Sequence, residues 1–193
     1  MTAQSGRDFF RYGNMLLRKL QLEEYGKLGW FDCGDEEIND FFHNDAFSHR
    51  KELIAESYSF EVENRPLALI SIQNDSIHFA DNDKKERLSF GYDINLPFCK
   101  RYNSLPAIKL GRLGVHKKFS GNGFGSNLLE CCKLMFVNEN RTGCRLILVD
   151  AYIKAKYFYE KNKFRIFPNQ LVEDTKEDDT LIMYCDLKPY SNI

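Results

Sequence analysis

The residues best suited to chemistry lie between Ile108 and Glu130, IKLGRLGVHKKFSGNGFGSNLLE. Gly121, Gly123 and Gly125 place three glycines in five positions, which removes the side chains that would keep an anion away from the backbone N–H groups. Ile108, Leu110, Leu113 and Val115 form an apolar, strand-like run ahead of them, and Leu128, Leu129, Cys132 and Met135 recur behind them at helical spacing. A glycine turn between a buried strand and a helix N-terminus is a phosphate cradle, because the turn's amides and the positive end of the helix dipole act at one place.

Two kinds of cradle fail on the residues. A P-loop needs G-x-x-x-x-G-K-S/T, and the chain has no Gly-Lys-Ser or Gly-Lys-Thr here. A dinucleotide fingerprint needs G-x-G-x-x-G with an acidic residue about 20 positions on. The glycines instead run G-x-G-x-G, Ser126 stands in the third position, and the strand follows a hairpin rather than opening a mononucleotide unit.

The elements that must position this loop belong to a chain of 193 residues, enough for one domain with a core that needs neither disulfides nor structural metal. Hydrophobic content of 43% with 28% charged residues is that of a soluble globular protein, and a net charge of -1 gives no global pull toward nucleic acid. Six cysteines show no C-x-x-C pair and no zinc-like histidine spacing, so they read as reduced, packed thiols of a cytoplasmic protein. No apolar run reaches the roughly 18 residues of a membrane span, and MTAQSGRDFFRYGN lacks the apolar core of a secretory signal.

Residues 1–13 read as a flexible N-terminal segment and 14–193 as the domain. Met15 to Leu20 suggests a short edge strand, Gly26, Gly29 and Gly34 punctuate a loop, and Ile38, Phe41, Phe42 and Ala46 repeat as a helix face behind Asp35. His43 and His49 lack ligand-spaced partners and read as surface or packing residues. SYSFEV at 57–62 and LALISI at 67–72 form an antiparallel hairpin, with Pro66 at its edge. Residues 74–105 mix charges and aromatics without period and suggest a substrate-side excursion with some helix. The helix after the cradle should reach Asn138. A second buried strand, Cys144 to Val149, then runs parallel to the first through a right-handed crossover. Tyr152 to Lys163 reads as a short helix with Ala155, Phe158 and Tyr159 inward, and Leu181 to Leu187 as the last strand. The fold class is α/β, a mixed, twisted central sheet flanked by helices in a single domain.

The sequence L-x-V at Leu113 to Val115, followed by Ser120 to Gly125, resembles the R/Q-x-x-G-x-G/A pyrophosphate loop of the GNAT (N-acetyltransferase) superfamily. SNLLECCKLMF, CRLILVDA and AKYFYEKNKF follow in the superfamily's order, the last resembling its A-x-x-F-Y-E-x-x-G-F segment. Upstream, FDCGDEEINDFF is similar to the F-x-C-G-x-x-x-L-N-x-W/F-L/I opening of a subgroup that includes toxins of toxin–antitoxin modules, which acetylate the amino group of aminoacyl-tRNA. Two positions depart from the pattern: Ser120 stands where arginine or glutamine usually opens the loop, and Lys163 where a glycine usually ends the F-Y-E helix.

The resemblance implies acetyl-coenzyme A as co-substrate and no metal. Gly121, Asn122, Gly123, Phe124, Gly125 and Ser126 would hold the pyrophosphate, with Ser120 opening the loop, and the backbone of Leu113, Gly114 and Val115 would pair with the pantetheine arm. It also implies that an amine attacks the thioester directly and that Tyr159, the tyrosine of F-Y-E, protonates the leaving thiolate. Asp150, His116, a water chain or an amine arriving neutral are open choices for the base. The acceptor is open among aminoacyl-tRNA, a small-molecule amine and a protein amine, as are an antitoxin partner and a homodimer; no membrane partner is expected. Residues 152–165 carry five cations against one carboxylate, whereas 173–179 carry five carboxylates against one lysine. A non-catalytic protein that binds coenzyme A is the competing class, and Ser120 is the feature that favours it.

Overall fold

A computed structural model of the protein describes residues 3–6, 8–78, 104–138, 143–167, 176 and 179–191. The excursion expected over 74–105 lies largely outside the described residues, as does most of the acidic 173–179 run. The elements in chain order are β1 (Ala3–Gly6), β2 (Phe9–Tyr12), β3 (Met15–Lys19), a 3-10 stretch (Leu22–Trp30), α1 (Glu36–Asp40), a π-turn (Phe41–Asp45), α2 (Ala46–Lys51), β4 (Glu56–Val62), β5 (Arg65–His78) and β6 (Ser104–Val115). They continue with α3 (Phe124–Asn138), β7 (Leu146–Tyr152), α4 (Lys156–Lys161), β8 (Arg165–Ile166) and β9 (Thr180–Asp186).

These elements form a mixed α/β fold whose chain divides into two compact units. The first comprises Met1–Gln73, Leu110–Arg141 and Tyr190–Ile193, and the second Asn74–Lys109 and Thr142–Pro189, so β5 and β6 contribute to both. In the first unit the strand order is β1-β2-β3-β4-β5-β6; in the second β5 and β6 are followed by β7-β9-β8.

In the first unit the expected hairpin forms, with β4 antiparallel to β5. Glu63 and Asn64 close it with φ of +52° and +61°, the two left-handed residues of a tight turn whose twist suits the strands. Pro66 is accommodated by a bulge opposite Phe60 and Glu61, where a missing N–H costs little. Phe10, Leu17, Phe60 and Ala68 stand opposite one another across β2 to β5 and are fully buried, so they share one face of the sheet. Leu69 belongs to the other face and joins a cluster with Leu20, Tyr25, Leu28, Phe31, Phe41, Phe42 and Ala46. Arg18 ties the 3-10 stretch to the sheet: it binds both Glu24 oxygens at 2.8 and 2.9 Å and Glu61 at 2.9 Å, which holds the Glu24 carboxyl below its usual range.

Several expectations change. The segment 1–13 carries β1 and β2, and Phe10 is fully buried, so those residues are not frayed throughout. β3 is flanked by β2 and β4 and is not an edge. The Gly26 and Gly29 region is 3-10 helix rather than loop, started by the Gln21–Glu24 capping box. Asp35 caps its helix as its type suggests, accepting from the Ile38 N–H at 3.1 Å, but a π-turn interrupts it at Phe41–Asp45. His43 holds the Phe31 carbonyl at 2.9 Å and His49 meets the Phe41 ring edge-on at 5.1 Å, so both are packing residues. Cys131, Cys132, Cys144 and Cys185 are buried free thiols, and burial pushes the Cys131 thiol up to about 12.

In the second unit Ile77, Leu105, Ala107, Leu146, Leu148 and Tyr184 form the core. β7 runs antiparallel to β9, and the bidentate Arg145–Asp186 pair, at 2.9 and 3.0 Å, clamps one end of the ladder. The helix after β7 is split into a 3-10 turn at Ile153–Ala155 and α4.

Candidate functional site

The cradle belongs to the first unit. β6 ends where the His116 N–H donates to the Leu67 carbonyl at 2.9 Å, and a 3-10 turn over Lys117–Phe119 leads into the glycines. Gly121 and Gly123 have φ of +78° and +79°, the left-handed region that glycine enters without the Cβ penalty. Asn122 braces the turn from inside, its amide donating to the carbonyls of Phe119 at 3.3 Å and Ser120 at 3.1 Å. α3 begins at Phe124 and runs 15 residues. Its first described i to i−4 bond is from the Asn127 N–H to the Gly123 carbonyl at 3.1 Å, so the amides of Phe124, Gly125 and Ser126 have no intrahelical acceptor. A Cβ built on Gly121 or Gly123 would meet nothing within 4 Å, and Ser120 through Gly123 are exposed. Helix-end amides without an intrahelical acceptor, next to a turn that is open at Gly121 and Gly123, fit a pyrophosphate.

Leu113, Gly114 and Val115 lie at the end of β6 as expected, but the structure gives Gly114 a different reason for being glycine. A Cβ there would lie 2.7 Å from Phe31 Cζ and 3.0 Å from Cys33 Cβ. The segment 31–33 is pressed onto the strand and latched in place. The Lys117 N–H donates to the Asp32 carbonyl at 2.8 Å, and the Lys117 ammonium pairs with the Asp32 carboxylate. Asn39 completes the latch: it donates to Asp32 Oδ1 at 3.1 Å and accepts from the Cys33 N–H at 2.9 Å. Lys117, the Gly34 N–H and Asn39 together pull the exposed Asp32 carboxyl down to about 2. The F-x-C-G opening is thus a bracket on the strand that enters the cradle. Sequence reasoning met Phe31, Cys33 and Asn39 as a subgroup signature and missed this role.

Aromatic rings line the approach. Trp30 stacks on His116 at 6.2 Å, nearly parallel, and His116, Phe119 and Phe124 follow at 5.7 and 6.4 Å, with the Arg65 guanidinium 4.7 Å from the Phe119 ring centre. His116 Nδ1 accepts from the Lys118 N–H at 3.1 Å, which in the neutral ring leaves the proton on Nε2. Its Nδ1 lone pair is therefore already engaged.

Tyr159 belongs to the second unit. It lies on α4 with its ring packed edge-on between Phe158 at 5.1 Å and Phe164 at 5.3 Å, 8% exposed. Burial alone pushes its phenol up to about 12, so the hydroxyl keeps its proton across the physiological range. Lys163 ends this helix despite its type: it takes φ of +69°, its N–H bonds to the Glu160 carbonyl and that of Phe164 to the Tyr159 carbonyl, both at 3.0 Å. Those two bonds are a Schellman cap built without glycine. Lys163, the departure from the usual glycine, thus takes the left-handed position itself. Asp150, the other base choice, is ion-paired with Lys109 in the same unit.

Residues 74–166 match a protein family described as the acetyltransferase (GNAT) domain. No curated protein sequence matches the chain. Among solved structures the chain is similar to AtaT complexed with acetyl-methionyl-tRNAfMet, at 19% identity and a TM-score of 0.66, covering 91% of this chain and 96% of that one. It is similar also to AtaTR bound with AcCoA, at 20% identity and 0.66, covering 92% and 96%. A tyrosine-to-phenylalanine mutant of the AtaT toxin, bound to the C-terminus of the antitoxin AtaR and acetyl-CoA, matches at 18% identity and 0.64, covering 91% and 95%. Likeness at these identities is one of fold: the mixed α/β fold described above is the GNAT fold.

Proposed function

We propose that this GNAT-fold chain is an acetyl-coenzyme A-dependent N-acetyltransferase of the cytoplasm, its residues 14–193 working as one catalytic domain. The observation that carries the reading is the open loop of left-handed Gly121 and Gly123 at the N-terminus of α3. In this reading the amides of Gly121 to Ser126 hold the coenzyme's pyrophosphate, and Leu113 to Val115 pair with its pantetheine arm. The acceptor's amine nitrogen attacks the thioester carbonyl carbon, the C–N bond forms, the C–S bond breaks and the coenzyme A thiolate leaves. Tyr159 donates its hydroxyl proton toward that sulfur. The amine's proton passes to water, or the amine arrives neutral, since His116 presents no free Nδ1 and Asp150 is already paired.

The acceptor is a primary amine. Because the structural neighbours include AtaT complexed with acetyl-methionyl-tRNAfMet and AtaT bound to the C-terminus of the antitoxin AtaR, charged tRNA is the first acceptor and an antitoxin the first partner to test, alongside self-association as a homodimer. The test is thiol release from acetyl-coenzyme A with charged tRNA, small amines and peptide N-termini. Release that depends on one acceptor class supports the transferase. Tight coenzyme binding with no release for any acceptor refutes it and leaves the binding-protein reading, which Ser120 favours by putting an uncharged, exposed side chain at the head of the loop.

A further inference from the structure

A continuous line of contacts joins α1 to the glycine loop, all of it within the first unit. Asn39 Nδ2 and the Gly34 N–H donate to Asp32 Oδ1 at 3.1 and 3.0 Å, and Asp32 Oδ2 holds the Lys117 ammonium. Both carboxylate oxygens are therefore engaged, which fixes the side chain's orientation. The Lys117 carbonyl accepts from the Ser120 N–H at 3.3 Å, and the Ser120 carbonyl accepts from the Asn122 amide at 3.1 Å. With Trp30 stacked on His116, and Phe31 and Cys33 close over Gly114, residues 30–33 grip 114–117 directly ahead of the loop.

Neither stability nor charge accounts for a carboxylate here. The side chains of Asp32 and Lys117 are 39% and 60% exposed, and ion pairs so exposed add little to folding. An anionic ligand in the loop would be repelled by Asp32, so its charge works against binding. Its geometry works the other way, because a loop already held in its binding shape loses less freedom when the ligand arrives.

We infer that Asp32, oriented by Asn39, is a positioning residue for coenzyme binding, holding the 117–120 turn, and through it the glycine loop, by way of Lys117. The inference rests on the proposed function in taking coenzyme A as the loop's ligand. Titration calorimetry of coenzyme A into the full chain tests it, at low salt, where the charge of Asp32 reaches furthest, and well below each variant's thermal midpoint. Asp32→Asn removes the charge and keeps the shape. Positioning predicts binding weaker by about 3- to 30-fold, whereas a purely structural or electrostatic Asp32 predicts binding equal to or tighter than wild type. Asn39→Ala, which changes no charge, should weaken binding as well, and Lys117→Arg, which keeps the ion pair, should leave it near wild type. Asp32→Asn combined with Lys117→Met should lose less than the two losses added, because each breaks the same contact. Binding by Asp32→Asn at or above the wild-type affinity overturns the inference, and so do additive losses, which would mean that Lys117 meets the ligand on its own. Thermal midpoints confirm that the variants are folded; should Asp32→Asn not fold, Asn39→Ala carries the test with the same two outcomes. Wild type that binds no coenzyme A refutes the acetyltransferase reading, and the inference falls with it; wild-type binding with an unaffected Asp32→Asn refutes the inference alone.

Discussion

A phenol held near 12 is a weak acid beside a simple thiol, whose pKa is near 8.5, so complete proton transfer from Tyr159 to a free thiolate is uphill by about 5 kcal/mol. Its contribution under the proposed function is therefore a hydrogen bond that strengthens as charge gathers on sulfur while the C–S bond breaks. Tyr159→Phe is expected to slow turnover by roughly 10² to 10⁴ while leaving coenzyme affinity unchanged, read from steady-state thiol release and from direct binding. Because the protonated phenol is the working form, activity should show no alkaline loss from this group until the pH nears 12; a limb below about pH 10 that disappears in Tyr159→Phe would contradict the assignment. Asp32 makes the opposite case. Its folded pKa is depressed to about 2, so its contribution to stability is complete above about pH 4 and is lost as pH falls toward 2. Titration of its carboxyl carbon by NMR should give the low value in wild type and a rise toward the ordinary carboxylate range in Lys117→Ala. Tyr159 is a candidate through the F-Y-E resemblance, whereas its raised pKa carries no sequence signal, since it comes from burial. Asp32 carried no signal at all, because its partner lies 85 positions away in the chain.

The glycines of the cradle and of the strand before it are glycines for different reasons, and substitution separates them. At Gly114 an added methyl meets Phe31 at 2.7 Å, with the fully buried ring unable to move aside, so Gly114→Ala should destabilise the protein by about 1–3 kcal/mol in denaturant unfolding. Pairing it with Phe31→Leu, which opens space at that contact, should recover part of the loss, and additive effects would show that the two do not press on each other. At Lys163 the reverse change is favourable. A lysine at φ of +69° carries a left-handed penalty that glycine lacks, so Lys163→Gly should raise stability by about 1 kcal/mol with the Schellman bonds kept. Element type was readable wherever one local signal dominated: the apolar period of α3, the alternating hairpin and the Asp35 cap. It failed where tertiary packing chose. The π-turn at Phe41–Asp45 keeps Phe41 and Phe42 in the cluster with Phe31, and the 3-10 stretch is tied down by Arg18, neither of which a local window contains.

At the scale of the whole molecule the order of elements from β6 through β7 to α4 followed from sequence, because one apolar run, one glycine turn and one helical period come in an order few folds share. The N-terminal strands were missed because β2 holds its place through a single fully buried residue, Phe10, between an exposed Phe9 and a half-buried Arg11 and Tyr12, too thin a pattern to read against a chain end. Under the proposed function coenzyme binding engages the first unit through the cradle, which gives that reading a thermodynamic signature independent of turnover. A ligand that binds only the folded chain adds about 2.7 kcal/mol at a concentration of 100 Kd. For a chain of this size each kcal/mol moves the thermal midpoint by about 2–4 °C, so acetyl-coenzyme A should raise it by about 5–10 °C. Gly123→Val should abolish that shift, since valine at φ of +79° distorts the turn and its branches fill the open space over the amides. Tyr159→Phe should keep the shift in full, because its ring packing survives and the cradle is untouched. If Gly123→Val keeps the wild-type shift, coenzyme binding lies elsewhere and the glycine loop serves only the turn into α3.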